Sequence, residues 1–334
     1  MTLLAPGLVL VSLLLSAGVV RAAIGYAHRR GMLDRPGQRR SHAVPTPRGG
    51  GIGVVVAVLV TLPVCLRLLA PAWPVTLVVA LALAFAVVAL VGWWDDHRPL
   101  PVLPRFSAQL AAAALFTAAL LATGGLSWWW APLLVLGGTW SVNLHNFMDG
   151  IDGLLAQQTV FVAAGLAVMA WLAGQPALCT ACACLAAAAL GFWRYNRSPA
   201  RIFMGDVGSG SLGLLLFMLI AMLWRVEHRL LWPALALCSA FVTDAGLTLL
   251  SRMLRGRRWY TAHREHLYQW MVRSGCSHTG GTARYLGWNV LVALPLASAS
   301  LFVSGMALPF CMVAYLAAAA TWLALKRRLS RRRQ

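Results

Sequence analysis

Residues 74–98 read PVTLVVALALAFAVVALVGWWDDHR: an uncharged apolar run from Pro74 to Trp94 that ends abruptly in two adjacent carboxylates, Asp95 and Asp96. A helix rises about 1.5 Å per residue, so such a run is long enough to cross a hydrocarbon layer about 30 Å thick. Applying the same ruler along the chain gives about eleven such runs. They lie near 3–23, 51–70, 74–94, 106–123, 128–144, 157–174, 177–193, 208–224, 230–250, 286–304 and 307–325. The expected fold class is an all-α integral membrane bundle of about eleven transmembrane helices, one polytopic domain over 1–334.

Composition agrees with that reading. Apolar residues make up 60% of the 334 and charged residues 11%, against roughly 45–50% and about 25% in a soluble domain. The net charge of +19 would suggest nucleic acid in a soluble protein. Here the basic residues lie in short clusters between apolar runs, which is the positive-inside pattern of a membrane protein, so no nucleic-acid partner is expected. Six of the seven cysteines, Cys65, Cys179, Cys182, Cys184, Cys238 and Cys311, lie inside apolar runs and read as small hydrophobes.

No basic residue precedes the first run, and Arg21, Arg29 and Arg30 follow it, the reverse of a cleaved secretion signal. It is expected to be a retained first span with its amino end outside. Threading eleven spans from that start puts loops 25–50, 95–105, 145–156, 194–207 and 251–285 on one side. The carboxyl-terminal tail, 326–334, joins them. That side carries 25 of the Lys and Arg residues against 3 on the other, which makes it cytoplasmic. Every acidic residue except Glu227 falls on or next to the same face, Asp244 alone lying within a span, near its inner end. Carboxylates are costly to place at the mouth of an apolar bundle, and their gathering there points to chemistry at the cytoplasmic interface.

Four constellations stand in those loops. Asp95 and Asp96 are like charges side by side, unfavourable unless a cation or a shared proton relieves them; magnesium suits such hard oxygen ligands. Asn143, Asn146 and Asp149 step by three along one helical face and lead into Asp149-Gly150-Ile151-Asp152-Gly153. That run lacks the remaining ligands of a calcium loop; its amides and carboxylates suit a sugar or a base. Phe203-Met204-Gly205-Asp206 opens into a Gly- and Ser-rich helix start, where free backbone donors can meet an anion and Asp206 can hold a metal beside it. No Lys follows the glycines, so this is not a P-loop. His263-Arg264-Glu265-His266 does not have the spacing of a zinc protease and fits better as a clamp on phosphate oxygens.

Taken together these runs resemble the polyprenyl-phosphate N-acetylhexosamine-1-phosphate transferases, membrane enzymes that begin lipid-linked cell-envelope polysaccharides. The likeness runs in order from Ser41, His42 and the Pro45-Thr46-Pro47-Arg48-Gly49-Gly50 loop to His263-Arg264-x-His266, most of the chain. It implies transfer of an N-acetylated sugar 1-phosphate from a UDP-sugar to polyprenyl (undecaprenyl) phosphate, releasing UMP, on the cytoplasmic face of a bacterial inner membrane. It also implies a magnesium cofactor, with manganese as substitute, and a homodimer as the assembly to look for. Carried over, Asp206 and Asp95 would hold the metal, and Asp95, Asp96 and Asp206 would be the catalytic carboxylates. Asn143, Asn146, Asp149 and Asp152 would shape the nucleotide-sugar pocket, and His263, Arg264 and His266 would bind diphosphate or sugar. Arg48, Arg98 and Arg105 would hold the lipid phosphate.

The branch that makes the first peptidoglycan lipid has a run of three histidines in the last inner loop and a lysine after its aspartates. This chain has separated histidines and Pro99, and so looks more like members acting on plain N-acetylhexosamines or 6-deoxy relatives such as N-acetylfucosamine, in pathways such as O-antigen synthesis. A secondary transporter is the rival class, since it too carries intramembrane carboxylates, but near the bilayer midplane.

Overall fold

The computed structural model describes residues 3–34, 45–69, 73–258, 263–303 and 305–331; Ser41 and His42 lie outside them. The chain is a helical bundle: α1 (Leu4–Arg30), α2 (Ile52–Leu69), α3 (Val75–His97), α4 (Val102–Ala122), α5 (Ala131–Phe147), α6 (Leu154–Leu172), α7 (Pro176–Asn196) and α8 (Asp206–Val226). Beyond these come α9 (Leu231–Leu237), α10 (Ser239–Leu254), α11 (Leu267–Arg273), α12 (His278–Trp288), α13 (Leu294–Phe302) and α14 (Ala307–Arg331). Among the described residues, nine helical stretches are long and apolar enough to cross a membrane.

The departures from eleven unbroken spans have local causes. The run expected at 128–144 begins with a 3-10 turn over Trp128–Trp130, which leaves α5 only 17 residues long. The run expected at 230–250 is broken after Leu237, and α10 turns away by 70°. The run expected at 286–304 begins earlier, at His278, and contains a π-helical turn over Asn289–Ala293. The loop read as 25–50 carries a small ladder, β1 (Leu33–Asp34) pairing antiparallel with β2 (Thr46–Pro47). Much of the loop read as 251–285 is helical, as α11 and the first part of α12.

At the centre stands α8, apolar all round and buried on nearly every side, as such a helix must be. Its first turns hold Gly208, Ser209, Gly210, Ser211 and Gly213, and small residues let membrane helices approach closely. A Cβ on Gly51 would stand 2.3 Å from the Cα of Gly208, and one on Gly92 2.4 Å from the carbonyl oxygen of Asp206. These contacts press α2 and α3 onto the start of α8, while α5 closes its other side through the Ser141 hydroxyl, which donates to the Gly213 carbonyl at 2.7 Å. Farther out, Ser12 and Ser16, one turn apart on α1, donate to the carbonyls of Cys184 and Ala188 on α7, both at 2.7 Å. All seven cysteines are free, and Cys65, Cys182, Cys184 and Cys311 are buried, in keeping with a packing role.

Candidate active site

The site grows from the start of α8. Asp96, 3% exposed, sits on the last turn of α3. It accepts the backbone N–H of Asp206 on Oδ1 at 3.0 Å and that of Val207 on Oδ2 at 3.1 Å. A carboxylate from one helix thus caps the unpaired donors and the positive dipole end of another. Gly205 makes this closeness feasible. Its φ is 77°, and a Cβ there would stand 2.5 Å from Asp96 Oδ2. The Arg48 guanidinium bonds the Asp96 carbonyl, and the Arg48 loop runs beside the approach to Asp206. The Phe203 N–H donates to the Pro47 carbonyl, and the N–H groups of Gly50 and Gly51 donate to the carbonyls of Phe203 and Met204.

Capping α8 in this way leaves the Asp206 side chain free to face Asp95. Arg105 on α4 reaches both with one nitrogen, 2.5 Å from Asp95 Oδ2 and 3.0 Å from Asp206 Oδ2. Asp95 Oδ1 accepts the Leu100 N–H at 2.5 Å. From α5, the Asn146 amide donates to Asp206 Oδ1 at 2.9 Å and to the Ser209 hydroxyl at 3.1 Å. One turn back, Asn143 donates to Gln109 Oε1 and to the Thr139 carbonyl, both at 2.8 Å. A cavity of about 70 Å³ lies below, with Arg105, Gln109, Asn143, Asn146 and Asp206 on its polar side and Val88, Val142 and Gly210 on its apolar side.

Asp149, just past α5, is half-buried. Its carboxyl is pushed up to about 8, first by removal from water and then by the negative charges of Asp206 and Asp96. Asp152 takes other partners: His278 Nδ1 stands 3.1 Å from its Oδ1, and its Oδ2 accepts the Ala200 N–H at 3.1 Å. Burial pushes Asp152 up, but the hydrogen bond and charge of His278, with the Ala200 donor, outweigh it and hold the carboxyl below its ordinary value. Arg98, at the end of α3, is exposed and makes no ion pair among the described residues.

The His263–His266 segment reaches the site through Phe147, the neighbour of Asn146. The His266 ring stacks on Phe147 and on Tyr268, both at 5.9 Å, and lies 4.8 Å from the His263 ring. Arg264 is half-buried between the two histidines. Burial, followed by the charges of His266 and Arg252, drives His263 down to about 4. His266 is lowered as well, burial being the main cause.

The anchor of this segment is Asp244, 2% exposed on α10. It accepts from the Leu267 N–H at 2.7 Å, the Trp322 indole at 3.0 Å, the Thr248 hydroxyl at 3.2 Å and the Tyr285 hydroxyl at 2.6 Å. Sequence reasoning noticed Asp244 without giving it a role, because its donors lie on four distant or unmarked residues. It passed over Gln109 as well, although four residues after Arg105 on one helix is a readable signal.

Magnesium commonly takes one or two protein carboxylates and completes its shell with phosphate and water. Asp95 and Asp206, with the Asn146 and Ser209 oxygens beside them, supply hard donors of that kind, and their repulsion is already relieved by a cation, Arg105. Among the described residues no three His, Cys, Asp or Glu side chains stand in ligating geometry. Any divalent ion here would therefore depend on phosphate and water for the rest of its shell. The residues fit the group on those terms.

Residues 78–224, which carry Asp95, Asp206 and the Asn143–Asp152 run, match the family model described as glycosyl transferase family 4. The chain is 31% identical over 327 residues to a decaprenyl-phosphate N-acetylglucosaminephosphotransferase of Mycobacterium tuberculosis, covering 83% of this chain and 78% of the relative. It is 35% identical over 261 residues to a phospho-N-acetylmuramoyl-pentapeptide-transferase of Moorella thermoacetica, covering 70% and 78%. A probable undecaprenyl-phosphate N-acetylglucosaminyl 1-phosphate transferase of Bacillus subtilis is 26% identical over 74% of this chain and 72% of its own. With its carboxylates gathered where four helices meet and these relatives matched along most of its length, the chain belongs to the membrane family of polyprenyl-phosphate N-acetylhexosamine-1-phosphate transferases, glycosyl transferase family 4.

Proposed function

We propose that this transferase moves an N-acetylated sugar 1-phosphate from a UDP-sugar to polyprenyl phosphate, giving polyprenyl-diphosphate sugar and UMP. The observation that carries the reading is one guanidinium, Arg105, shared by Asp95 and Asp206, with Asn146 completing the cluster. Two anionic phosphates must meet in this reaction, and phosphoryl transfer is catalysed chiefly by positioning and by cations that spread charge.

Asp206, with Asp95 opposite, would hold magnesium or its substitute manganese, which when bound would neutralise charge on the transferred phosphoryl group. Asp95 acts on the lipid phosphate, and Arg105, Arg48 and Arg98 draw that phosphate in. Asp96 works through the helix it caps, fixing where Asp206 stands. Asn146, Asp149 and Asp152 shape the nucleotide-sugar pocket with Asn143 in support. His263, Arg264 and His266 close on diphosphate or sugar from the side of Phe147.

Neutral imidazoles at His263 and His266 suit hydrogen bonding to sugar hydroxyls better than charge pairing. This supports a plain or 6-deoxy N-acetylhexosamine, in a pathway such as O-antigen synthesis, over a muramyl-pentapeptide. Among the described residues nine helices are long enough to cross, or ten if the bent pair is one span; we count the 17-residue α5 as a further crossing. With the amino end outside, the site faces the cytoplasm of a bacterial inner membrane, as the basic loops favour. The test is UMP release by the purified chain from a panel of UDP-sugars, with magnesium, with and without polyprenyl phosphate. Release with a plain or 6-deoxy N-acetylhexosamine only when the lipid is present supports the proposal. Release without the lipid, or from none of the panel, refutes it.

A further inference from the structure

A second hollow stands apart from Asp95, Asp96 and Asp206. It is a groove of about 410 Å³ between α10, the π-bulged stretch after α12, and α14, and it shares no lining residue with the cavity under Asp206. Most of its lining surface is apolar, with Ala240 from α10, Leu291 from the π turn, and Trp322 and Leu325 from α14; Asp244, already filled with donors, and Arg284, which has no acidic partner among the described residues, also line it. Leu291 is 76% exposed and Thr321 is exposed, so the mouth lies at the surface. Just beyond the groove α14 becomes cationic. Lys326 is engaged inward, 5.0 Å over both the Trp270 and Trp322 rings and bonded to the Glu265 carbonyl. Arg327, Arg328 and Arg331 are exposed and have no acidic partner among the described residues. The nearby acid, Glu265, is already paired with Arg252 and Arg257.

An apolar slot ending in unpaired guanidinium groups is complementary to an acyl chain under a negatively charged head. We propose that this groove holds a resident anionic phospholipid, its acyl chain along Trp322 and Leu325 and its phosphate between Arg284, in the groove's lining, and Arg328, one turn past Leu325. The polyprenyl acceptor carries similar chemistry, but its phosphate must reach Asp206, and no wall is common to the two hollows. The groove therefore commits to phospholipid.

The experiment uses the full chain purified in detergent, with lipid binding read by native mass spectrometry, a readout that does not depend on the transferase reading. Phosphatidylglycerol is expected to be retained over phosphatidylcholine. Thr321→Trp, which fills the mouth, is expected to lower its retention, and Arg284→Gln/Arg328→Gln, which discharges the rim, to lower it roughly 25-fold, from about fivefold per surface charge. Equal retention of the two lipids, or full retention in either variant, would overturn the proposal. So would displacement by equimolar polyprenyl phosphate, which would make the groove an acceptor site, or by glycerol phosphate, which would leave only a head-group site.

Discussion

The bundle around α8 and the region from α9 to α14 achieve their geometry by opposite means. Around α8, small residues bring backbones into contact, and the polar groups follow: Gly51 meets Gly208, Gly92 meets Asp206, and the Asp96 carboxylate caps the helix that results. From α9 to α13 the helices are bent, π-bulged or short, and one buried carboxylate, Asp244, gathers four donors from α10, α11, α12 and α14. The first arrangement resists displacement because nothing soft lies between the backbones. The second depends on a single side chain. In the proposed function the reactive carboxylates sit in the first region and the sugar-facing segment in the second, a division that would suit one chemistry acting on different sugars.

That contrast can be broken first at its reactive end. Asp206→Asn keeps the shape of α8 and removes the charge, and UMP release should fall by roughly 10²–10³-fold, in the range of losing one preorganised electrostatic group, while yield and elution profile stay normal. Gly92→Val forces α3 off the Asp206 backbone; a displacement near 1 Å costs roughly 10²-fold in rate, and the melting temperature should drop with it.

Substitutions in the second region should read out differently. Asp244→Ala leaves four buried donors unpaired at about 1–3 kcal/mol each, so stability should fall by at least about 4 kcal/mol and thermal unfolding should come earlier. In the folded fraction KM for the UDP-sugar should rise more than kcat falls. Tyr268→Phe deletes only the hydroxyl that donates to the Phe147 carbonyl at 2.9 Å; about 1 kcal/mol is expected, seen as a few-fold rise in KM.

The two regions should also answer pH with opposite signs. Asp149 is raised from 3.8 to about 8, so the folded state binds the extra proton, and the stabilisation it contributes is lost as pH climbs through about 8. His263 is lowered from 6.5 to about 4, so its contribution is present above 6.5 and lost as pH falls through about 4. Hydrogen exchange, corrected for intrinsic rates, should speed up in 146–153 on going from pH 6 to 8.5 and in 263–273 on going from pH 7 to 4.5. Magnesium should suppress the first change and not the second.

How much of this could be read in advance follows the same division. Asp95, Asp96, Asn146, Asp149 and Asp206 stand out because charges and amides are rare in an apolar sequence and lie where spans end. That Asp96 spends both oxygens on backbone N–H groups was not legible, since nothing local marks a cap supplied from 110 residues away. The break after Leu237 is hidden inside a continuous apolar run, where hydropathy is blind to bending. Asp244 was visible as a carboxylate within a span, but its donors at Leu267, Tyr285 and Trp322 come from three further helices and carry no common spacing. Local patterns reported the chemistry, and the long-range hydrogen bonds that aim it stayed hidden.

The most direct measurement of whether the carboxylates form one cation-dependent centre is manganese binding to the purified chain, followed by the loss of the free-ion electron paramagnetic resonance signal in the presence of UMP. The account predicts a saturable population in the native chain and in Glu227→Gln, on the opposite end of the bundle, and its disappearance in Asp206→Asn. Undiminished manganese binding in Asp206→Asn would contradict it.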